Sequence, residues 1–213
     1  MPVEGDAQKV AEEAESSTDP VEIVQRCAHR GLTLATAESL TAGSLAARIA
    51  DVPGASQALL GGVIAYSNQV KEHVLKVSAD LLETRGAVDP IVAASMAQGA
   101  AERCGTDIGI STTGVAGPAP HQGKDVGTVY LGIACREDAV QRLGLSLPQG
   151  CDRIDQDISQ QWLAGALLLH LDPSADPDQM RVEIRKASVQ GALKLVEDFL
   201  LTEPAGLPAS AGS

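Results

Sequence analysis

Aromatic side chains are nearly missing from this 213-residue chain, which has one Phe, one Trp and two Tyr. Acidic residues outnumber basic ones, 28 to 16, for a net charge of −12. A chain with neither stacking platforms nor a basic stripe lacks what nucleic-acid binding requires, and no nucleic-acid partner is expected. No apolar run reaches the roughly 18 residues of a membrane span, and no leader pattern opens the chain, so a cytoplasmic protein without a membrane partner is expected. The four cysteines, Cys27, Cys104, Cys135 and Cys151, show neither CxxC nor Cys/His ligand spacing, which argues against a zinc site or a disulfide framework. They read as small buried hydrophobes. The four histidines, His29, His73, His121 and His170, have no acidic partner or motif context, which makes a Ser/His/Asp triad the weaker reading.

What the chain does have is 44% hydrophobic residues, enough for one α/β domain. The acidic residues 1–18 and the Pro/Gly/Ala/Ser residues 203–213 read as tails around a domain over 19–202, with a frayed helix over Ala7 to Glu15 as an option. Within the domain, helical spacing over Val21 to His29 stops at Gly31, and a strand Leu32 to Thr36 leads to an Ala-rich helix from about Leu40 to Ala50. A buried strand follows over Leu59 to Tyr66, then short helices over Asn68 to Leu75 and Ser78 to Thr84. Asp89-Pro90 is an N-cap and first-turn proline opening a helix that stops at Gly105. Its apolar face suits the core or the seam of a homodimer or other homo-oligomer. Strands over Asp107 to Thr113 and Thr128 to Cys135 flank a Gly/Pro loop. Beyond Glu137 the patterns predict a strand over Leu143 to Leu147 and helices over Ile154 to His170 and Val182 to Leu201.

Chemistry concentrates where Ala35-Thr-Ala-Glu-Ser39-Leu-Thr-Ala-Gly43 passes from strand to helix. Ser39 there is either a helix cap or a hydroxyl beside unpartnered N–H groups able to hold an oxyanion. Tyr66-Ser-Asn-Gln-Val-Lys71, at a strand end, adds a phenol and an amine. A lysine whose charged form is disfavoured by burial can deprotonate a serine, although Lys71 beside Glu72 also fits a solvated helix face. Thr113-Gly114-Val-Ala-Gly-Pro118 is a hydroxyl and a Gly-rich loop suited to an amide or a phosphate.

These segments, with Asp51-Val-Pro-Gly54, Gly61 to Asn68, Gly86-Ala-Val88 and Lys124 to Val129, resemble the CinA C-terminal domain family. Its stand-alone members are nicotinamide mononucleotide (NMN) amidohydrolases. The resemblance covers about Pro20 to Ala134 and implies a single-domain, three-layer α/β/α sandwich around a mixed sheet, with no metal and no cofactor. It implies hydrolysis of NMN to nicotinate mononucleotide and ammonia, as in pyridine nucleotide salvage. By position in the family's pattern, Ser39 is the nucleophile, Lys71 its base and Tyr66 the residue orienting them. Leu40 and Thr41 supply oxyanion N–H groups, and Thr113 and Gly114 contact the substrate.

Two departures stand out. The family's usual Ser-Cys-Thr-Gly-Gly reads Ser39-Leu40-Thr41-Ala42-Gly43 here. These changes leave open a catalytically impaired nucleotide-binding or interaction protein linked to competence and DNA damage. The family's substrate-binding arginine, in Gly-Asp-Arg-x-x-Ile-Arg, has two candidate locations. Arg181-Val-Glu-Ile-Arg185 fits the helix pattern better, whereas Asp152-Arg153 lies at the more usual distance from the Thr113 loop. Choosing Arg181 makes residues from about 137 to 175 partly an insertion.

Overall fold

The computed structural model describes residues 18–172, 174 and 176–202. The expected tails at 1–17 and 203–213, and the helix option over Ala7 to Glu15, lie outside the described residues; Thr18 is already packed into the domain. The first helix, α1 (Pro20–Arg30), forms where the residues dictate. The Asp19 carboxylate accepts from the Val21 N–H at 3.0 Å, proline takes the first helical position, and Gly31 ends the helix at a left-handed φ of 62°. Strand β1 (Leu34–Glu38) follows, then helix α2 (Ser44–Ala50), strand β2 (Leu59–Ile64) and two short helices, α3 (Asn68–His73) and α4 (Ala79–Thr84). Helix α5 (Pro90–Cys104) repeats the Asp-Pro start and Gly stop of α1, with Asp89 accepting from the Ile91 N–H at 2.9 Å. The hairpin β3 (Ile108–Gly114) and β4 (Thr128–Arg136), helix α6 (Glu137–Leu143), strands β5 (Asp152–Arg153) and β6 (Trp162–His170), and the long α7 (Pro177–Leu201) complete the chain.

The six strands form one mixed sheet in the order β2-β1-β3-β4-β6-β5. Strand β1 is parallel to both β2 and β3, and the remaining pairs are antiparallel. Side-chain size alternates across the sheet with the two-residue strand period. Leu34, Ile108, Ile110, Leu131 and Ile133 face α1, α2 and α7, where Ile23, Leu45, Ile184 and Phe199 complete the main core. The opposite face carries Ala35, Ala37, Gly109, Ser111, Gly132 and Ala134. There the Ala-rich α5 lies so close that a Cβ on Gly109 would collide with the Ala97 carbonyl, and one on Gly132 with the Ala93 carbonyl. Leu75, Leu81 and Leu82, contributed around α3 and α4, cover the outer side of α5. Helix α5 is therefore packed as core on both sides.

The structure departs from the sequence expectations in four elements. Residues 162–170 are a strand rather than a helix, paired along their length with β4. The run Trp-Leu-Ala-Gly-Ala-Leu-Leu-Leu is rich in helix formers, but a slot between β4 and β5 decides its conformation. Of the residues expected as a strand over Leu143 to Leu147, Leu143 instead ends α6, Gly144 caps it at φ 66°, and the rest are not in a strand. Strand β2 is an edge strand with Leu60 and Ile64 exposed, not a buried one. Helix α2 begins at Ser44 rather than near Leu40, which changes how Ser39 is presented. Among the described residues no helix is long and apolar enough to cross a membrane.

Candidate active site

Strands β1, β2 and β3 run parallel, and their carboxyl ends open on a cleft of about 440 Å³. Ligands of open parallel sheets bind at this end. Ser39 follows the last residue of β1, Tyr66 lies two residues past β2, and Thr113 and Gly114 close β3; all four line the cleft. Lys71, from the first turns of α3, points back under the sheet edge with only 1% of its surface exposed. Its Nζ lies 3.1 Å from Ser39 Oγ and 2.7 Å from the Ala65 carbonyl oxygen. Burial pushes the Lys71 pKa down from 10.5 to about 8. A neutral amine can accept the serine proton, so this arrangement meets the requirement for an activated hydroxyl.

Ser39 is not a helix cap. Residues 39–43 form a tight turn ahead of α2, whose N-cap is Gly43. The first N–H groups of α2 are consumed by the neighbouring Glu38, which the sequence reading left unassigned. Its buried carboxylate accepts from the N–H groups of Gly43 at 2.8 Å, Leu45 at 3.0 Å and Ala46 at 2.8 Å. The expectation that oxyanion donors come from the helix's first turn is thus corrected: a carboxylate already sits there. Leu40 and Thr41 precede the helix, and among the described residues their N–H groups donate to no protein acceptor. The signal for Glu38 was an acidic residue a few positions before a helix start. Glu38→Gln is expected to lower stability by roughly 1–3 kcal/mol, because an amide nitrogen cannot accept from these N–H groups. Urea unfolding measures this, and an unchanged midpoint would show that Glu38 does not organise the turn.

The two candidate arginines lie in different parts of the fold. Arg181, at the start of α7, lines the cleft, donating from Nη1 to the Gly117 carbonyl at 3.1 Å and from Nη2 to Tyr66 Oη at 2.6 Å. Arg153 lies in β5 at the opposite edge of the sheet, exposed and paired with Asp155 at 2.8 Å. Among the described residues the Tyr66 hydroxyl is hydrogen-bonded to neither Ser39 nor Lys71, and it accepts from Arg181 instead. Thr113 Oγ1 donates to the Ala87 carbonyl at 2.7 Å. Its only proton is committed, so toward a ligand it can only accept. For the hydroxyl itself that suits an amide N–H₂ rather than a phosphate; the backbone N–H groups of the loop are not involved in this bond. Of the four histidines only His121 lines the cleft, and among the described residues none bonds to Ser39.

The sequence profile of the CinA C-terminal domain matches residues 17–169. The chain belongs to this family. It is 49% identical over 122 residues to a putative competence-damage inducible protein of Geobacillus sp. (strain WCH70), covering 57% of this chain and 29% of that protein. It is 47% identical over 125 residues to a CinA-like protein of Frankia casuarinae, covering 59% of this chain and 29% of that one. The matched part thus spans less than a third of these curated relatives. Among solved structures, a competence-damaged protein (CinA) superfamily protein from Escherichia coli superposes with a TM-score of 0.67 at 25% identity, over 92% of this chain and 98% of that one. The competence/damage inducible protein CihA from Agrobacterium tumefaciens gives 0.63 at 27% identity, over 84% and 93%.

Membership in the CinA family brings the Ala42 departure into physical focus. Ala42 has a φ of 52°, in the left-handed region that glycine adopts freely. With its Cβ, this position costs roughly 1–2 kcal/mol. The turn keeps the glycine-type conformation regardless, with the Ala42 N–H on the Ser39 carbonyl at 3.2 Å. Leu40 is buried and lines the cleft beside Ser39. The larger residue therefore forms part of the cleft wall.

Proposed function

We propose that the chain is an amidohydrolase that converts NMN to nicotinate mononucleotide and ammonia. The observation carrying this reading is a serine hydroxyl 3.1 Å from a buried lysine amine with a lowered pKa, at the floor of a cleft that also presents an arginine without a carboxylate partner among the described residues. Lys71 takes the Ser39 proton as Oγ attacks the carboxamide carbon, and the oxyanion is held by the Leu40 and Thr41 N–H groups. Collapse breaks the C–N bond, and the leaving nitrogen takes the proton from Lys71. Water deprotonated by the same amine then cleaves the acyl-enzyme and releases the carboxylate. Thr113 Oγ1 accepts from the carboxamide N–H₂, and Arg181, with N–H groups beyond those given to Gly117 and Tyr66, takes the phosphate. On a chain of net charge −12 this attraction is local.

Ammonia release measured with NMN, nicotinamide riboside and nicotinamide tests the reading. NMN is expected to be the best substrate; tight NMN binding without ammonia would instead mark a binding protein. The same substrates examine the arginines. Arg181→Ala is expected to raise KM for NMN by roughly 10- to 150-fold and to leave the riboside nearly unaffected, as one charge-assisted phosphate contact of about 1.5–3 kcal/mol requires. Arg153→Ala is expected to be silent. A phosphate-selective defect in Arg153→Ala alone would displace Arg181 from the substrate site.

A further inference from the structure

Arg185 follows Arg181 by one helical turn on α7 and turns toward the opposite side of the nucleophile loop. Its Nε donates to the Leu40 carbonyl at 3.0 Å, and its Nη2 to the Thr41 carbonyl at 3.1 Å and to Ser44 Oγ at 3.3 Å. Among the described residues it has no carboxylate within ion-pair distance. A guanidinium committed to two consecutive carbonyls of one turn constrains the peptide planes. In a planar trans peptide the N–H points opposite to the C=O. Drawing the Leu40 carbonyl toward Arg185 therefore turns the Thr41 N–H the other way. The Ser39 carbonyl is held in turn by the Ala42 N–H at 3.2 Å, which orients the Leu40 N–H. Both N–H groups belong to the two residues that follow Ser39 in the chain, and neither has a protein acceptor among the described residues.

We infer that Arg185 is a positioning residue for the reaction: it aims the Leu40 and Thr41 N–H groups at the developing oxyanion and polarises the Leu40–Thr41 peptide through its carbonyl. A donor at the far end of a peptide already hydrogen-bonded to a cation is strengthened. Preorganised donors act on the transition state far more than on the bound substrate. This assignment rests on the amidohydrolase reading and separates the two arginines of α7: Arg181 binds substrate, and Arg185 acts through the backbone.

The test compares the parent with Arg185→Lys and Arg185→Ala, using NMN turnover and, independently of any substrate, the rate at which a small fluorophosphonate labels Ser39. Labelling forms an Oγ–P bond and expels fluoride, with charge developing on the phosphoryl oxygen. Arg185→Lys keeps the charge but loses the fork. It is expected to lower kcat by roughly 10- to 100-fold with KM within about twofold, and to slow labelling by a similar factor. The groove between α2 and α7 that Arg185 lines is open, so added guanidinium ion is expected to restore part of the Arg185→Ala rate. A variant that melts earlier but keeps kcat and the labelling rate would show a staple with no bearing on chemistry and overturn the proposal, as would a defect confined to KM. If the parent is labelled at Ser39 but releases no ammonia from NMN, the substrate reading alone fails and the labelling rates still decide Arg185. A parent that neither turns over nor is labelled removes both.

Discussion

Ser39→Ala is expected to lower ammonia release from NMN by about 10³-fold or more, about 4 kcal/mol of barrier, while the protein stays folded and binds NMN. The expectation of an intact fold comes from what the hydroxyl does not do. It caps no helix, because α2 starts at Ser44 and its free N–H groups are bound by Glu38. Its bond to Lys71 Nζ is backed by a second acceptor on the same amine, the Ala65 carbonyl, so Lys71 is not left unpaired in the variant. A thermal melt, NMN calorimetry and the ammonia assay together separate chemistry from stability. Residual turnover within about tenfold of the parent, less than about 1.4 kcal/mol, would exclude Ser39 as the nucleophile.

Lys71 carries the second large effect, and it takes the form of a pH dependence. Only the neutral amine can accept the serine proton, and burial lowers the Lys71 pKa to about 8. The rate kcat/KM is therefore expected to rise with pH through about 8 and to level off above it. Lys71→Arg stays protonated throughout this range and is expected to lose roughly 10²- to 10⁴-fold. The same shift has a stability consequence of definite sign. Between about 8 in the folded state and the ordinary 10.5, the unfolded chain binds more protons at this site than the folded one, so the site's destabilising contribution shrinks as pH rises through that window. Below about 8 its full cost is present, on the order of 3 kcal/mol. Lys71→Met is accordingly expected to be more stable than the parent near neutrality, with the gap closing toward high pH, as urea unfolding across that range can follow. A pH-independent rate from about pH 6.5 to about pH 9.5 would falsify the lysine-base mechanism.

Elements whose cause is local were legible in the sequence. Asp19-Pro20 and Asp89-Pro90 start helices because a carboxylate and a proline satisfy the needs of the first turn wherever the helix packs, and Gly31 and Gly105 end them because φ values of 62° and 68° suit glycine. Ser39, Tyr66, Lys71, Thr113 and Arg181 could be selected as chemistry-bearing residues at element ends, and the fold brings all five to one cleft. Strand β6 was illegible because its Ala- and Leu-rich run has no alternation, and only its neighbours in the sheet make it extended. The contacts of Glu38, and those of Arg185, which the sequence offers only as part of an arginine pair opening the last helix, were illegible for a related reason. Each side chain acts on backbone groups of the turn at 39–46, and backbone groups leave no trace in residue identity.

The sequence by itself determined the capped helices, the small-residue face that lets α5 approach the sheet, and the set of residues able to do chemistry. These follow from side-chain size, cap chemistry and glycine's backbone freedom, all properties of a residue and its near neighbours. The tertiary structure alone decided that Lys71 lies against Ser39, that Arg181 and not Arg153 shares their cleft, and that Tyr66 and Thr113 spend their hydroxyls on Arg181 and Ala87. Lys71 and Ser39 are 32 residues apart, and Arg181 is 115 residues from Tyr66. What joins them is the order of strands in the sheet and the path of α7 across it, and the lowered Lys71 pKa exists only once that packing has excluded water from the amine.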